Sequence, residues 1–161
     1  MIELLQLDLA RIDLARASPT TFEGLAVVDG GLPPSFILEG ARAAIRAGGP
    51  TLWFGPFLFV DPQQRRIVGS GIFKGEPSAG WVEIGYGVAE SVQGRGHATD
   101  AVFALVRFAF AQAGVHTVYA ETEITNVASR RVVQKVGFAW TGERLSEDHG
   151  PVDCWFVESS R

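Results

Sequence analysis

The sequence predicts an α/β domain, α+β in its arrangement, with a mixed sheet. Three observations lead there. The chain has 161 residues, a length that suits one domain. Hydrophobic residues make up 47% against 20% charged, so the chain can bury enough apolar surface to offset its conformational entropy. Strand-like patterns dominate early and then give way to the order β-α-β-α-β-β.

Ile2–Leu7 alternates in part and suits a first strand. Residues 17–34 carry turn signals, Ser18-Pro19 and Leu32-Pro33-Pro34, without a clear period. Ser35–Ala47 reads as a helix stopped by Gly48-Gly49-Pro50. Trp53–Val60 is a strand-like run that Gly55-Pro56 breaks or bulges. Asp61-Pro62-Gln63-Gln64 forms a turn, and Arg66–Phe73 returns as its hairpin partner. A turn at Gly75–Gly80 leads to the strand Trp81–Val88. From His97 to Ala113, Val102, Leu105, Val106, Ala109 and Phe110 share one helical face, Asp100 sits in the first turn, and Gly114 closes the end. Val115–Thr122 is a strand, and Ala128–Val136 a short helix ended by Gly137. Phe138–Arg144 and Asp153–Val157 are the last strands, around a Ser146–Gly150 turn.

Composition narrows the function. Fourteen Lys and Arg against eighteen Asp and Glu give a net charge of −4. This supplies neither the basic footprint of a nucleic-acid partner nor attraction to an anionic membrane. The lone Cys154 excludes an internal disulfide or a CxxC pair, and His97, His116 and His149 lack ligand spacing, so no metal is expected. No apolar run approaches the ~18 residues of a membrane span. The acidic N-terminus does not read as a signal peptide. A soluble protein of a reducing compartment, the cytoplasm, is expected.

The chemistry concentrates at Gln93-Gly94-Arg95-Gly96-His97-Ala98, between a strand and a helix. Glycines allow a tight turn that exposes consecutive N–H groups where the helix N-terminus adds positive potential. Such a turn can cradle a pyrophosphate, or simply join two elements. It is not a P-loop, since Gly-Lys-Ser/Thr occurs nowhere. It is a poor dinucleotide fingerprint. Thr99 stands where the third glycine belongs, and the motif arrives after the early strands, although Glu121 imitates the ribose-binding acid.

Gln93-x-x-Gly96-x-Ala98 resembles the Q/R-x-x-G-x-G/A signature of the GCN5-related N-acetyltransferases, which holds the pyrophosphate of acetyl-CoA. Glu83-Ile84-Gly85-Tyr86-Gly87-Val88 resembles that family's fourth strand. Asn126-x-x-Ser129-x-x-Val132 with Lys135-Val136-Gly137-Phe138 resembles its fifth-strand exit and fourth helix. The likeness covers roughly residues 66–145 and points to the branch of the ribosomal-protein N-terminal alanine acetyltransferases.

The resemblance implies a single acetyltransferase domain over residues 1–161. Its central sheet would be mixed and mostly antiparallel, with helices on both faces and a splayed central pair of strands. Acetyl-CoA is the implied co-substrate, and the acceptor is an amine, either a protein N-terminus or a small molecule. Main-chain N–H groups of Arg95, Gly96, His97, Ala98 and Thr99, beside Gln93 and Gly94, would hold the pyrophosphate. A main-chain N–H near Val88 would polarise the thioester carbonyl, and Asn126 would bond pantetheine or merely cap a loop.

Glu83 is the first choice of base, with Glu121 and Glu123 as rivals and a surface ion pair as its ordinary alternative. The family's helix tyrosine is replaced by Val133, leaving Ser129 as proton donor or sulfur ligand, unless it only caps the helix. Arg130 and Arg131 could meet the 3′-phosphate or face solvent, and His149 could edge the acceptor site. Homodimerisation is possible. A catalytically silent acyl-CoA-binding module is the alternative function.

Overall fold

The computed structural model describes residues 1–160. Strand β1 (Glu3–Gln6) leads into helix α1 (Leu9–Arg16), whose N-terminus is capped by Asp8, its side chain accepting from Arg11 N at 2.9 Å. Two short strands follow, β2 (Thr21–Phe22) and β3 (Leu25–Val27), then helix α2 (Ser35–Arg46). Helix α3 (Thr51–Phe54) is a single turn before strand β4 (Phe57–Asp61). Strands β5 (Arg66–Phe73) and β6 (Trp81–Val88) form the next hairpin, and a 3-10 turn at Glu90–Val92 carries the chain to helix α4 (His97–Phe110). Strand β7 (Thr117–Glu123), helix α5 (Val127–Val136) and the hairpin of β8 (Ala139–Ser146) and β9 (Gly150–Glu158) complete the order.

The sheet runs β1-β4-β5-β6-β7-β9-β8, with β3 joined to the side of β5. Along that order every pair is antiparallel except β6 and β7. The expected mixed, mostly antiparallel sheet is therefore what forms. Helices α4 and α5 cover one face. Val102, Leu105, Val106 and Ala109 of α4 and Val133 of α5 join Phe57, Phe59, Val82, Ile84, Val118 and Ala120 in one core. The other face is covered only over its first half, where Ile12 and Ala15 of α1 and Leu38 and Ala41 of α2 pack on Leu58, Val60 and Ile67. Each fully buried leucine or isoleucine there contributes about 1.5–3 kcal/mol.

Two expectations need correction. Trp53 and Phe54 are not in a strand; they lie in the turn of α3, and β4 starts only at Phe57. The cause is a contact distant in sequence. The Gln6 side-chain amide reaches the carbonyl oxygens of Thr51, Leu52 and Gly55 at 2.8, 3.1 and 3.1 Å; Thr51 O also accepts from Gly55 N, but a lone helical turn would leave the other two bare. Residues 21–27 hold two strands where the sequence showed no clear period, because they are two and three residues long, and α1, which buries only Ile12 and Ala15, falls on residues the sequence left unassigned.

Candidate functional site

Strands β6 and β7 pair only from Trp81↔Thr117 to Ile84↔Ala120. Beyond that, β6 keeps its partner β5 up to Val88, while β7 follows β9 as far as Glu123↔Val152. The central pair therefore parts after Ile84. On β6, Lys74 N bonds Glu83 O at 2.8 Å and Ala89 N bonds Val68 O at 2.8 Å. Bonding residues alternate along an antiparallel ladder, so the main-chain groups of Tyr86 and Val88 point away from β5 into the gap. The Val88 carbonyl accepts from the Gln93 side chain at 3.0 Å, which ties the cradle to the strand.

The cradle itself depends on two backbone conformations. Gly94 and Gly96 have φ of 75° and 84°, the left-handed region that other residues enter at about 1–2 kcal/mol. Gly96 stands at the N-terminus of α4, and the first helical bond runs from Asp100 N to Gly96 O at 3.0 Å. His97, Ala98 and Thr99 thus carry N–H groups with no helical partner. A side chain at Gly94 or Gly96 would enter open space, the space a bound anion would take.

A cavity of about 450 Å³ joins this cradle to the strand gap. Every expected cofactor residue lines it except Arg95: Val88, Gln93, Gly94, Gly96, His97, Ala98, Thr99, Asn126 and Ser129. Arg131 and Lys135, one turn apart on α5, also line it, and no carboxylate does. In a chain with net charge −4, that local excess of cations favours an anionic occupant.

Arg130 lies elsewhere, 2.9 Å from the buried carboxylate of Asp153. Asn126 caps α5, accepting from Ser129 N at 3.0 Å. Capping is therefore not the work of Ser129, which sits inside the first turn. Its hydroxyl instead lies 2.8 Å from the hydroxyl of Tyr86, which reaches across the gap from β6. Tyr86 lines the cavity, and burial pushes its phenol up from the usual value. No role was expected for this residue. The signal was its alternation with Ile84, which puts both side chains on the helix-covered face.

Glu83 points to the opposite face and outside the cavity lining, in an ion pair with Lys74 at 2.7 Å. On β7, two residues beyond Tyr119, the register partner of Glu83, Glu121 has a side chain only 8% exposed. Burial would raise the Glu121 carboxyl, but hydrogen bonds from Arg144 and from Tyr119 (2.9 Å) outweigh it and hold the group below its ordinary range. Glu123 lies 3.5 Å from His149. The uncovered half of this sheet face thus gathers Lys74, Glu83, Glu121, Arg144 and Glu123, across the sheet from the cavity. Among the described residues no helix is long and apolar enough to cross a membrane.

Comparison with known proteins agrees with this arrangement. A sequence family described as the acetyltransferase (GNAT) domain matches residues 21–139. An uncharacterized N-acetyltransferase of Bacillus subtilis (strain 168), YjdG, is 29% identical over 89 residues, 55% of this chain and 53% of that protein, so the chain spans about half the length of this curated relative. Among solved structures, a spermidine N-acetyltransferase SpeG chimera from Vibrio cholerae and hSSAT superposes with a TM-score of 0.70 at 14% identity, covering 98% of this chain and 95% of that one. An aminoglycoside acetyltransferase, AAC(6')-Ib, in complex with coenzyme A gives 0.68 at 17% identity, covering 98% and 95%. These structural likenesses show the fold. The match over residues 21–139 shows more: the chain belongs to the GNAT acetyltransferase domain family.

Proposed function

We propose that the protein is an acetyl-CoA-dependent N-acetyltransferase that moves an acetyl group directly to a primary amine. The observation that carries this reading is the continuous cavity from the Gly94–Thr99 cradle to the parted strands, lined by unpartnered main-chain donors and cations and by no carboxylate. The N–H groups of His97, Ala98 and Thr99 would hold a pyrophosphate, with Gly94 and Gly96 giving close approach and Gln93 fixing the turn. Arg131 and Lys135 add positive charge along its flank. Main-chain groups of Tyr86 and Val88 would pair with a pantetheine arm beside Asn126, and the Val88 N–H would face the thioester oxygen. Bound acetyl-CoA supplies the activated acyl carbon.

The amine would approach from the uncovered sheet face, where Glu83 takes its proton. Gly87 presents open space there, so β6 does not obstruct the approach. We place Glu83 ahead of Glu121 because Arg144 and Tyr119 already occupy the Glu121 carboxylate. In the acceptor we include a protein N-terminus, which the resemblance to the ribosomal-protein alanine acetyltransferases suggests, and small amines, the substrates named for the spermidine and aminoglycoside enzymes of like fold. The second reading, a silent acyl-CoA-binding module, draws on one observation: the buried Val133 stands where a helix tyrosine would serve as acid.

Calorimetric titration with acetyl-CoA, NAD and ATP, on wild type and Gly96→Glu, tests the proposal. Binding of acetyl-CoA alone, lost in a variant that keeps the wild-type urea midpoint, is the expected outcome. Binding of NAD alone, or of none of the three, overturns it. Release of CoA thiol in the presence of a panel of amines then separates the enzyme from the silent module.

A further inference from the structure

Tyr86 and Ser129 approach from opposite walls of the strand gap, one from β6 and one from the first turn of α5, and their hydroxyl oxygens are 2.8 Å apart. At that distance one proton lies between the two oxygens. The second hydroxyl proton is then left over. If Ser129 donates to Tyr86, the phenol proton has only the Ser129 carbonyl at 3.4 Å, a bond long enough to yield to a better acceptor in the cavity. If Tyr86 donates, the serine proton is free. Both residues line the cavity, so either arrangement offers it one O–H donor. The tyrosine ring is packed against the main core, which fixes the donor in place. The phenol, its ionisation disfavoured by burial, stays a donor through the neutral range.

We propose that Tyr86, oriented by Ser129, is the hydrogen-bond and proton donor to the sulfur that leaves during acyl transfer. The inference rests on the acetyltransferase reading above and deepens it. As the C–N bond forms and the C–S bond breaks with its electron pair on sulfur, the amine proton goes to Glu83 and the sulfur receives one from Tyr86 Oη. Ser129 Oγ returns a proton to the phenolate and is replenished from solvent, so no co-reactant is consumed. A thiolate is a moderate leaving group, with a thiol pKa of about 8.5. A donor held at the sulfur gives most as that charge develops, and the gap between the parted strands is where Val88 would present the thioester. The strand thereby supplies a phenol, which the helix, with Val133 in the core, lacks.

The test is a cycle between protein and ligand, read by calorimetry at alkaline pH where CoA is largely thiolate. Wild type is expected to bind CoA roughly tenfold more tightly than desulfo-CoA, the size of a hydrogen bond to a charged group. Tyr86→Phe, which keeps the ring and its packing, is expected to lose that preference while retaining affinity for desulfo-CoA. In turnover the same variant is expected to lose on the order of 10²-fold in kcat with little change in KM for acetyl-CoA. An unchanged CoA preference in Tyr86→Phe overturns the proposal. So does loss of the preference in Ser129→Ala alone, which would make the serine the donor. If wild type binds neither ligand, the acetyltransferase reading itself fails; if it binds both without preference, only this inference does.

Discussion

Two carboxylates a strand apart show how surroundings divide roles among identical groups. Glu83 has one partner, the Lys74 ammonium, and its side chain is 29% exposed. Glu121 is buried, takes hydrogen bonds from Tyr119 and Arg144, and is held below the ordinary carboxylate range. A carboxyl whose folded pKa is depressed stabilises the fold above its unfolded pKa of about 4.3, and that stability is lost as pH falls through the folded value. Urea denaturation from neutral pH downward should show this loss in wild type and a flatter profile in Glu121→Gln. At neutral pH Glu121→Ala should cost about 1–3 kcal/mol, since it strips Tyr119 and Arg144 of an acceptor. Glu83→Gln should leave stability and CoA affinity nearly unchanged but lower kcat by about 10²–10⁴-fold, the usual range for a general base. Equal kcat in the two proteins would remove Glu83 from the mechanism. The family resemblance marked Glu83 as first choice, with Glu121 and Glu123 on the next strand as rivals. It could not show that Arg144, more than twenty positions on, neutralises Glu121, because that pairing depends on how the last hairpin adds to β7.

At the scale of elements, what was legible was what repeats locally. The strands β5 and β6 have the bounds their alternation gives, Arg66–Phe73 and Trp81–Val88, and α4 and α5 follow their apolar stripes to within a few residues. The elements missed are held by distant partners: α3 by Gln6, and β3 by a parallel contact with the start of β5. Another such partnership joins the two halves of the site. Asp153 on β9 is 2% exposed, accepts from Trp140 Nε1 at 2.8 Å and lies 2.9 Å from Arg130 on α5. It anchors the helix that carries Asn126 and Ser129 to the hairpin that carries Arg144. Arg130 is 41% exposed, so the two partners are not equivalent. Removing the arginine leaves a buried carboxylate with one neutral donor, whereas removing the aspartate leaves a cation that water can reach. Arg130→Met should therefore destabilise by about 3 kcal/mol, more than Asp153→Asn, and the double variant should recover part of the loss. The order of urea midpoints checks this. A larger loss in Asp153→Asn would mean that the Trp140 bond, not the ion pair, holds the hairpin.

For the whole molecule, the parted sheet makes the cofactor a structural partner as well as a reactant. The β6–β7 pairing stops at Ile84↔Ala120, so β6 beyond that point has β5 on one side and open main-chain groups on the other. A pantetheine arm in that gap would supply missing partners for Tyr86 and Val88, while the cradle at α4 would gain an anion for its unpartnered N–H groups. Both contacts exist only in the folded protein, so binding must stabilise it by mass action, by about 2.7 kcal/mol at a ligand concentration one hundred times Kd. For a chain of this length such a gain corresponds to a rise in Tm of roughly 5–10 °C. Acetyl-CoA should produce that rise in wild type, NAD and ATP should not, and Gly96→Glu should abolish it. Amide exchange should report where the gain arises. Protection should increase at Tyr86, Val88 and His97–Thr99, on both walls of the cavity. It should remain unchanged in α1 and α2, which pack on the far face of the first half of the sheet. A thermal shift accompanied by protection confined to α1 and α2 would put the ligand on the wrong face and refute this account of the cavity.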